Sequence, residues 1–117
     1  AGAMAMRKSG ITDVSGMGLA EVSANSAAGE AMVVEALGLA KRGHGVDAYA
    51  DGAPVSLNPS GGAIPADPIM ATGLFRLAEA SERLAGRRGD ADVGTRALVH
   101  GAGGLGMQNH CVFTLEV

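Results

Sequence analysis

Tryptophan is absent, and one tyrosine and two phenylalanines bring the aromatic content to only 3% of 117 residues. Proteins that stack nucleic-acid bases need aromatic platforms, and this chain has almost none. A basic stripe is missing too: nine Lys and Arg stand against twelve Asp and Glu, a net charge of −3. Both absences set nucleic acid and anionic membrane surfaces aside as partners. A single cysteine, Cys111, excludes an internal disulfide framework and fits a reducing, cytoplasmic compartment. His44, His100, His110 and Cys111 form no CxxC or HxxxH pair, so no metal site is expected. No apolar run reaches membrane-spanning length, and no basic-then-apolar leader is legible. There is no G-x-S-x-G, so a hydrolase built from Ser60, His100 and Asp67 lacks its nucleophile turn.

What is abundant is small and apolar. The chain is 47% hydrophobic and holds 19 glycines. Its length fits one domain with a buried core, and this composition suits thin helices packed on a sheet. The opening, Ala1-Gly2-Ala3-Met4, already reads as helix, and the expectation is that upstream sequence of a larger chain is missing.

The pattern predicts the order α-β-α-β-α-β-β. Residues 1–9 read as the end of a helix, with Arg7 and Lys8 in its last turn and Gly10 as the stop. Residues 17–22 read as a short strand. Asn25 and Ser26 are N-cap candidates for a helix over 27–37. A loop over 44–53 leads to a strand at 55–58. Asp67 as N-cap and Pro68 at the first helical position predict a helix from 68 to 84 or 85. Met70, Leu74, Leu77, Ala78 and Leu84 form its apolar face, and Glu79 and Arg83 pair on its solvent side. A charged loop over 87–94 precedes a strand at 95–100, a glycine turn at 101–106 and a last strand at 111–117. Strands so close in sequence must pair antiparallel.

The stretch from Ser56 to Gly73 is the centre of interest: a strand, a glycine loop, then a helix, the geometry at which α/β proteins hold ligands. Gly101-Ala102-Gly103-Gly104-Leu105-Gly106 matches G-x-G-x-x-G, but a strand follows it where dinucleotide binding needs a helix and an acidic residue. It reads instead as a turn whose backbone N–H groups face a site. His100 ends a strand beside that turn and is a candidate pocket residue. His110 and Cys111 alternate onto opposite faces, and Cys111 reads as a small buried hydrophobe. Capping explains Asp67, with a general-base role as the rival reading.

Asn58-Pro59-Ser60-Gly61-Gly62-Ala63-Ile64, then Pro68 and Ala71-Thr72-Gly73, then a strand and glycine turn before a final strand, resembles the C-terminal half of a thiolase. The nearest branch is the sterol-carrier-protein-2 type, or lipid-transfer branch. The resemblance spans the whole chain, residues 1–117, as a partial thiolase-like C-terminal domain. It implies an α/β half-domain with a mixed sheet and an antiparallel last strand. The half-domain's first strand is missing, and that strand is expected in the middle of the sheet, so its loss should leave unpaired edges there.

Thiolases condense and cleave acyl-CoA thioesters, using a nucleophilic cysteine in the other half. Their C-terminal half contributes N-E-A-F or H-D-C-F, a G-H-P histidine and a C-x-G acid/base cysteine. At the first motif this chain has Ser23-Ala24-Asn25-Ser26, and at the second Ala66-Asp67-Pro68. At the third it has His100-Gly101-Ala102-Gly103-Gly104. An aspartate cannot replace a neutral N–H donor to a thioester oxygen, whereas a histidine can still move a proton. The resemblance therefore implies a divergent thiolase-like protein acting on or binding acyl-CoA or a CoA-linked lipid or steroid, by acyl transfer or C–C cleavage. His100 and Asp67 would be catalytic, and Ser60, Gly61, Gly62, Gly103 and Gly104 would bind substrate. The chain alone would be inactive. Its partner would be the remaining half or a second subunit in a homo- or hetero-dimer or higher assembly, and it would need no cofactor beyond the CoA thioester. The rival reading is a non-catalytic subunit that stabilises an active partner or binds lipid.

Overall fold

A computed structural model describes residues 1–89 and 93–117. Its elements are α1 (Gly2–Lys8), β1 (Leu19–Glu21), α2 (Ala27–Ala36), β2 (Ser56–Leu57), α3 (Thr72–Leu84), β3 (Arg96–Gly103) and β4 (Asn109–Glu116), in the order read from the sequence. Short 3-10 turns occupy Val14–Gly16, Gly45–Tyr49 and Leu105–Met107. Residues 90–92 of the expected charged loop lie outside the described residues.

The sheet order is β2-β1-β3-β4. β1 runs parallel to β2 (Leu19↔Ser56) and to β3 (Leu19↔Ala97). β4 runs antiparallel to β3, from Arg96↔Glu116 to Gly103↔Asn109. The fold is thus α/β with a mixed sheet and an antiparallel last strand. The expected gap in its middle is not there. β1 bonds directly to β3, so open edges among these strands fall only at β2 and β4.

Alternation along the strands builds two cores. Ala20, Val22 and Leu98 meet Val34 of α2 and its C-cap Leu37 on one face. Leu19, Ala97 and Val99 meet Ala80 and Leu84 of α3 on the other. Near α1, Ser9 bonds Thr114 of β4. The Ser26 hydroxyl caps α2 by accepting from the Gly29 N–H at 3.1 Å, as expected.

α3 departs from expectation in two ways. It begins at Thr72, not Pro68, and its N-cap is Ala71. The reason is local: Met70 sits at φ +69°, which interrupts right-handed helix, and the Ala71 N–H closes a turn onto the Pro68 carbonyl. Its inward face is Thr72, Arg76, Ala80 and Leu84, while Leu74 and Phe75 are exposed. Glu79 and Arg83 do pair, at 2.7 Å, but the Arg83 side chain is largely buried rather than on a solvent face.

The rotation of α3 follows from a backbone contact. A Cβ added to Gly101 would meet the Gly73 Cα at 3.2 Å, and one on Gly73 would meet the Gly101 Cα at 3.3 Å. Neither neighbour is a side chain that can swing away, so an alanine at either position would press the helix and strand backbones apart. Gly101→Ala should therefore destabilise the fold by about 1–3 kcal/mol in urea unfolding. Gly103→Ala, whose Cβ would meet nothing within 4 Å, should stay within about 0.5 kcal/mol of the parent.

Candidate functional site

The C-terminal ends of β1 and β3 and the start of α3 enclose a cavity of about 340 Å³. The end of β1 contributes Ser23, Ala24 and Asn25. The long loop contributes Ala63, Asp67, Ile69 and Met70, and α3 contributes Thr72 and Gly73. Ala102, Gly103 and Gly104 close it from β3, with Met107 beyond. Three segments far apart in sequence thus meet at one opening, as expected where parallel strands end. A groove of about 410 Å³ between Leu39 and Leu57 carries Lys41 and His44 but none of these segments.

Among the described residues, Asp67 is the one charged residue lining the site cavity. It is not the helix N-cap; its carboxylate accepts a hydrogen bond from the Thr72 hydroxyl, which also bonds the Pro68 carbonyl at 3.2 Å. The tether holds an exposed carboxylate at the cavity wall. Of the expected Ser23-Ala24-Asn25-Ser26 block, the first three line the cavity and Ser26 serves as the cap of α2.

His100 stands behind the wall rather than in it. It is only 2% exposed and is not among the lining residues. Its Nδ1 accepts from the Ser23 N–H at 3.4 Å, and its Nε2 lies 3.0 Å from His110 Nδ1. Burial, and then the neighbouring His110, pull its pKa down to about 4. The ring is neutral at pH 7, and with Nδ1 accepting, its proton sits on Nε2. Cys111 is exposed, not buried. It follows His110 on an edge strand, on the side where α3 presents Gly73 and leaves the sheet partly uncovered.

Ser60, Gly61 and Gly62 do not line the cavity. Ser60 belongs to a buried polar network on the α3 face. Its hydroxyl donates to Glu21 Oε2 at 2.6 Å and accepts from Arg76 Nη1, and its N–H reaches Glu21 Oε1 at 3.1 Å. Arg76 Nη1 is 3.3 Å from Glu21 Oε2, with the Glu21 side chain fully buried. Burial raises the Glu21 pKa, opposed by Ser60 and Arg76. Gly62 is needed for a different reason: at φ +68° a Cβ would come within 2.7 Å of Asn58 Nδ2. Asn58 is itself a buried hub. Its Oδ1 accepts from the Val22 N–H at 2.7 Å and its Nδ2 donates to Glu30 Oε1 at 2.7 Å, which also accepts from the Tyr49 hydroxyl.

Reading the sequence did not single out Glu21, Glu30 or Arg76, and took Asn58 only as part of a motif. The available signal was Glu21 in an otherwise apolar strand and Arg76 four residues after Thr72 on the helix.

Two outcomes follow. Arg76→Met should destabilise the fold by about 3–5 kcal/mol, because it leaves a buried carboxylate without its counter-charge. The double variant Glu21→Gln/Arg76→Met should recover part of that loss, measured by chemical denaturation. The second concerns pH. The unfolded His100 ring takes a proton near 6.5, whereas the folded ring resists until about 4. The stability it contributes is therefore complete above pH 6.5 and is lost as pH falls through 4, about 3 kcal/mol in all. His100→Gln should flatten that limb of the stability–pH curve.

Comparison with known proteins places this geometry. A family model described as thiolase C-terminal domain-like matches residues 1–116. No curated protein and no solved structure gives a match. With a mixed sheet, an antiparallel last strand and the family model covering nearly every residue, the chain belongs to the thiolase C-terminal domain-like family.

Proposed function

We propose that this chain is the C-terminal part of a divergent thiolase-like protein that acts on acyl-CoA or a CoA-linked lipid or steroid. The observation that carries the reading is the convergence of Ser23–Asn25, Asp67–Gly73 and Ala102–Gly104 on one cavity. These blocks include residues of the three stretches that the sequence resemblance matches to the thiolase motifs. The sterol-carrier-protein-2 or lipid-transfer branch is the finer assignment proposed.

The lining residues favour C–C cleavage over thioester condensation. Asp67 is an anion beside the cavity and would repel a developing thioester oxyanion. It is suited instead to take the proton of a β-hydroxyl. As that O–H proton passes to the carboxylate, the oxygen electrons form a carbonyl, the Cα–Cβ bond breaks, and its electron pair becomes the thioester enolate. Backbone N–H groups at Gly103 and Gly104 would steady the enolate oxygen, and a proton delivered to the α-carbon completes the shorter acyl-CoA. His100 is the proposed acid/base group of the site, standing behind the wall with its Nε2 against His110.

A specific observation supports a second reading, a non-catalytic subunit that stabilises a partner or binds lipid. Both ring nitrogens of His100 are engaged, and Ser60 is tied into the Glu21–Arg76 pair. Either reading needs company. Met70, Leu74, Phe75 and Phe113 expose apolar surface between 45% and 99%. The remaining half of the protein, or a second subunit in a dimer or higher assembly, is proposed to cover it. No helix among the described residues is long and apolar enough to cross a membrane, and a cytoplasmic location is proposed from the single cysteine.

The full chain decides between the readings. Offered β-hydroxyacyl-CoA thioesters, it should release a carbonyl product and a shorter acyl-CoA. Asp67→Asn should lower kcat by roughly 10²–10⁴-fold, the usual worth of a general base. Unchanged turnover in both Asp67→Asn and His100→Ala would assign the chain to the non-catalytic reading.

A further inference from the structure

We propose that the open edge of β4 seats one more strand of this same chain, the segment that leads into α1, running antiparallel to β4. The proposal goes beyond the catalytic question and rests only on the reading of this chain as the C-terminal part of a longer one.

The edge presents a full row of backbone groups. The Val117 N–H donates to the Thr95 carbonyl at 3.1 Å, so in the unbroken register the hydrogen-bonded pairs fall at Asn109, Cys111, Phe113 and Leu115. The Arg96 carbonyl agrees: it turns away from Glu116 and accepts from the Gly18 N–H at 3.1 Å. The backbone N–H and C=O groups of His110, Val112, Thr114 and Glu116 therefore point away from β3, toward the open edge. Strand edges that stay open are guarded by proline, lysine or a bulge. β4 has none of these from Asn109 to Glu116, and it leaves Phe113 45% exposed near its middle.

Handedness selects the occupant. α2 carries the chain from β1 to β2 on one face of the sheet, and α3 carries it from β2 past β1 to β3 on the other. Opposite directions on opposite faces make crossovers of one hand, the right hand of parallel strands. α1 lies on the α2 face. A Cβ on Gly2 would meet Leu37 Cδ2 at 2.9 Å, and Ser9 bonds Thr114, which shares a face with the core-packed Val112. A parallel strand that enters β1 through a helix on that face must come from the side away from β2. β3 and β4 occupy the first two places there, so the next place is the outer edge of β4. α1, seated on β4, lies on the path from that place to β1. A strand on the β2 edge would need a left-handed connection. The first strand, expected from the sequence in the middle of the sheet, is thereby placed at its edge. Being parallel to β1, it would end beside Asn109 and His110, and its connection to α1 would border the end of the sheet that holds the cavity.

The test uses the full chain and reads amide hydrogen exchange and ¹⁵N-resolved NOEs without substrate, so its result is independent of turnover. The Val112 and Thr114 amides should exchange at least about a hundredfold more slowly than unpaired amides. Their NOEs should run to residues before Ala1, and an isotope filter on mixed labelled and unlabelled chains should assign them to the same molecule. Thr114→Pro removes one outward N–H and spares the β3 ladder, so exchange in the upstream segment should quicken about tenfold or more. Thr114→Ala, which also loses the Ser9 contact but keeps the N–H, should leave that exchange at the parental rate. If the proline variant does not fold, the NOEs of the parent decide. Rapid exchange at Val112 and Thr114 overturns the proposal, as do NOEs that the filter assigns to a second copy. Parental protection of the upstream segment in a folded Thr114→Pro overturns it as well. An inactive full chain would count against the catalytic reading alone, because the amide signals are read in either case.

Discussion

A carboxylate with no access to solvent must be matched by donors and charge, and Glu21 is the place where this chain meets that demand. It sits in β1 in the interior of the sheet, and its partners come from the loop (Ser60) and from α3 (Arg76). One buried group therefore ties three segments together. Replacing such a pair with apolar residues can be nearly neutral for stability, whereas removing one partner is not. Its consequence here is positional. With residue 60 anchored to β1 and residue 76 anchored beside it, the intervening residues span the cavity, and Asp67 and Thr72 are held at its wall.

A second network, Asn58–Glu30–Tyr49, with Asn58 and Glu30 buried, does the same on the opposite face. Asn58 occupies the Val22 N–H at the end of β1 and leaves room for Gly62 only as glycine. Between the two networks the glycine loop is held on both sides. Gly62 serves side-chain clearance, and the cavity wall is formed by Asp67 and residues further along. The Gly73–Gly101 contact then brings α3 onto β3 and turns Leu74 and Phe75 outward. Beside that contact, Leu74 and Phe75 are left as exposed apolar surface.

Much of the frame was legible from residue order. The alternation α-β-α-β-α-β-β, the Ser26 cap and the antiparallel final pair follow from local rules: periodicity, capping chemistry and a connection too short for a crossover. Boundaries that depended on one backbone angle were not legible. Asp67-Pro68 has the chemistry of a helix start, yet the left-handed angle at Met70 moves the start to Thr72 and frees Asp67 to face the cavity. Likewise the helical spacing of Met70, Leu74 and Leu77 is real, but spacing does not say which of two apolar sides meets the sheet.

By itself the sequence determined the element types, the direction of the last strand, the absence of metal-binding spacings, and the three separated blocks that carry the thiolase resemblance. These are short-range properties, set by which residues neighbour one another along the chain. Only the tertiary structure decided that β1 adjoins β3, that Glu21 and Arg76 meet across the α3 face, and that His100 lies behind Ser23 against His110. Each of these depends on sheet order and strand register, which bring together residues 10 to 78 positions apart. The energies that select them are burial and hydrogen-bond satisfaction, and neither exists until the layers have packed.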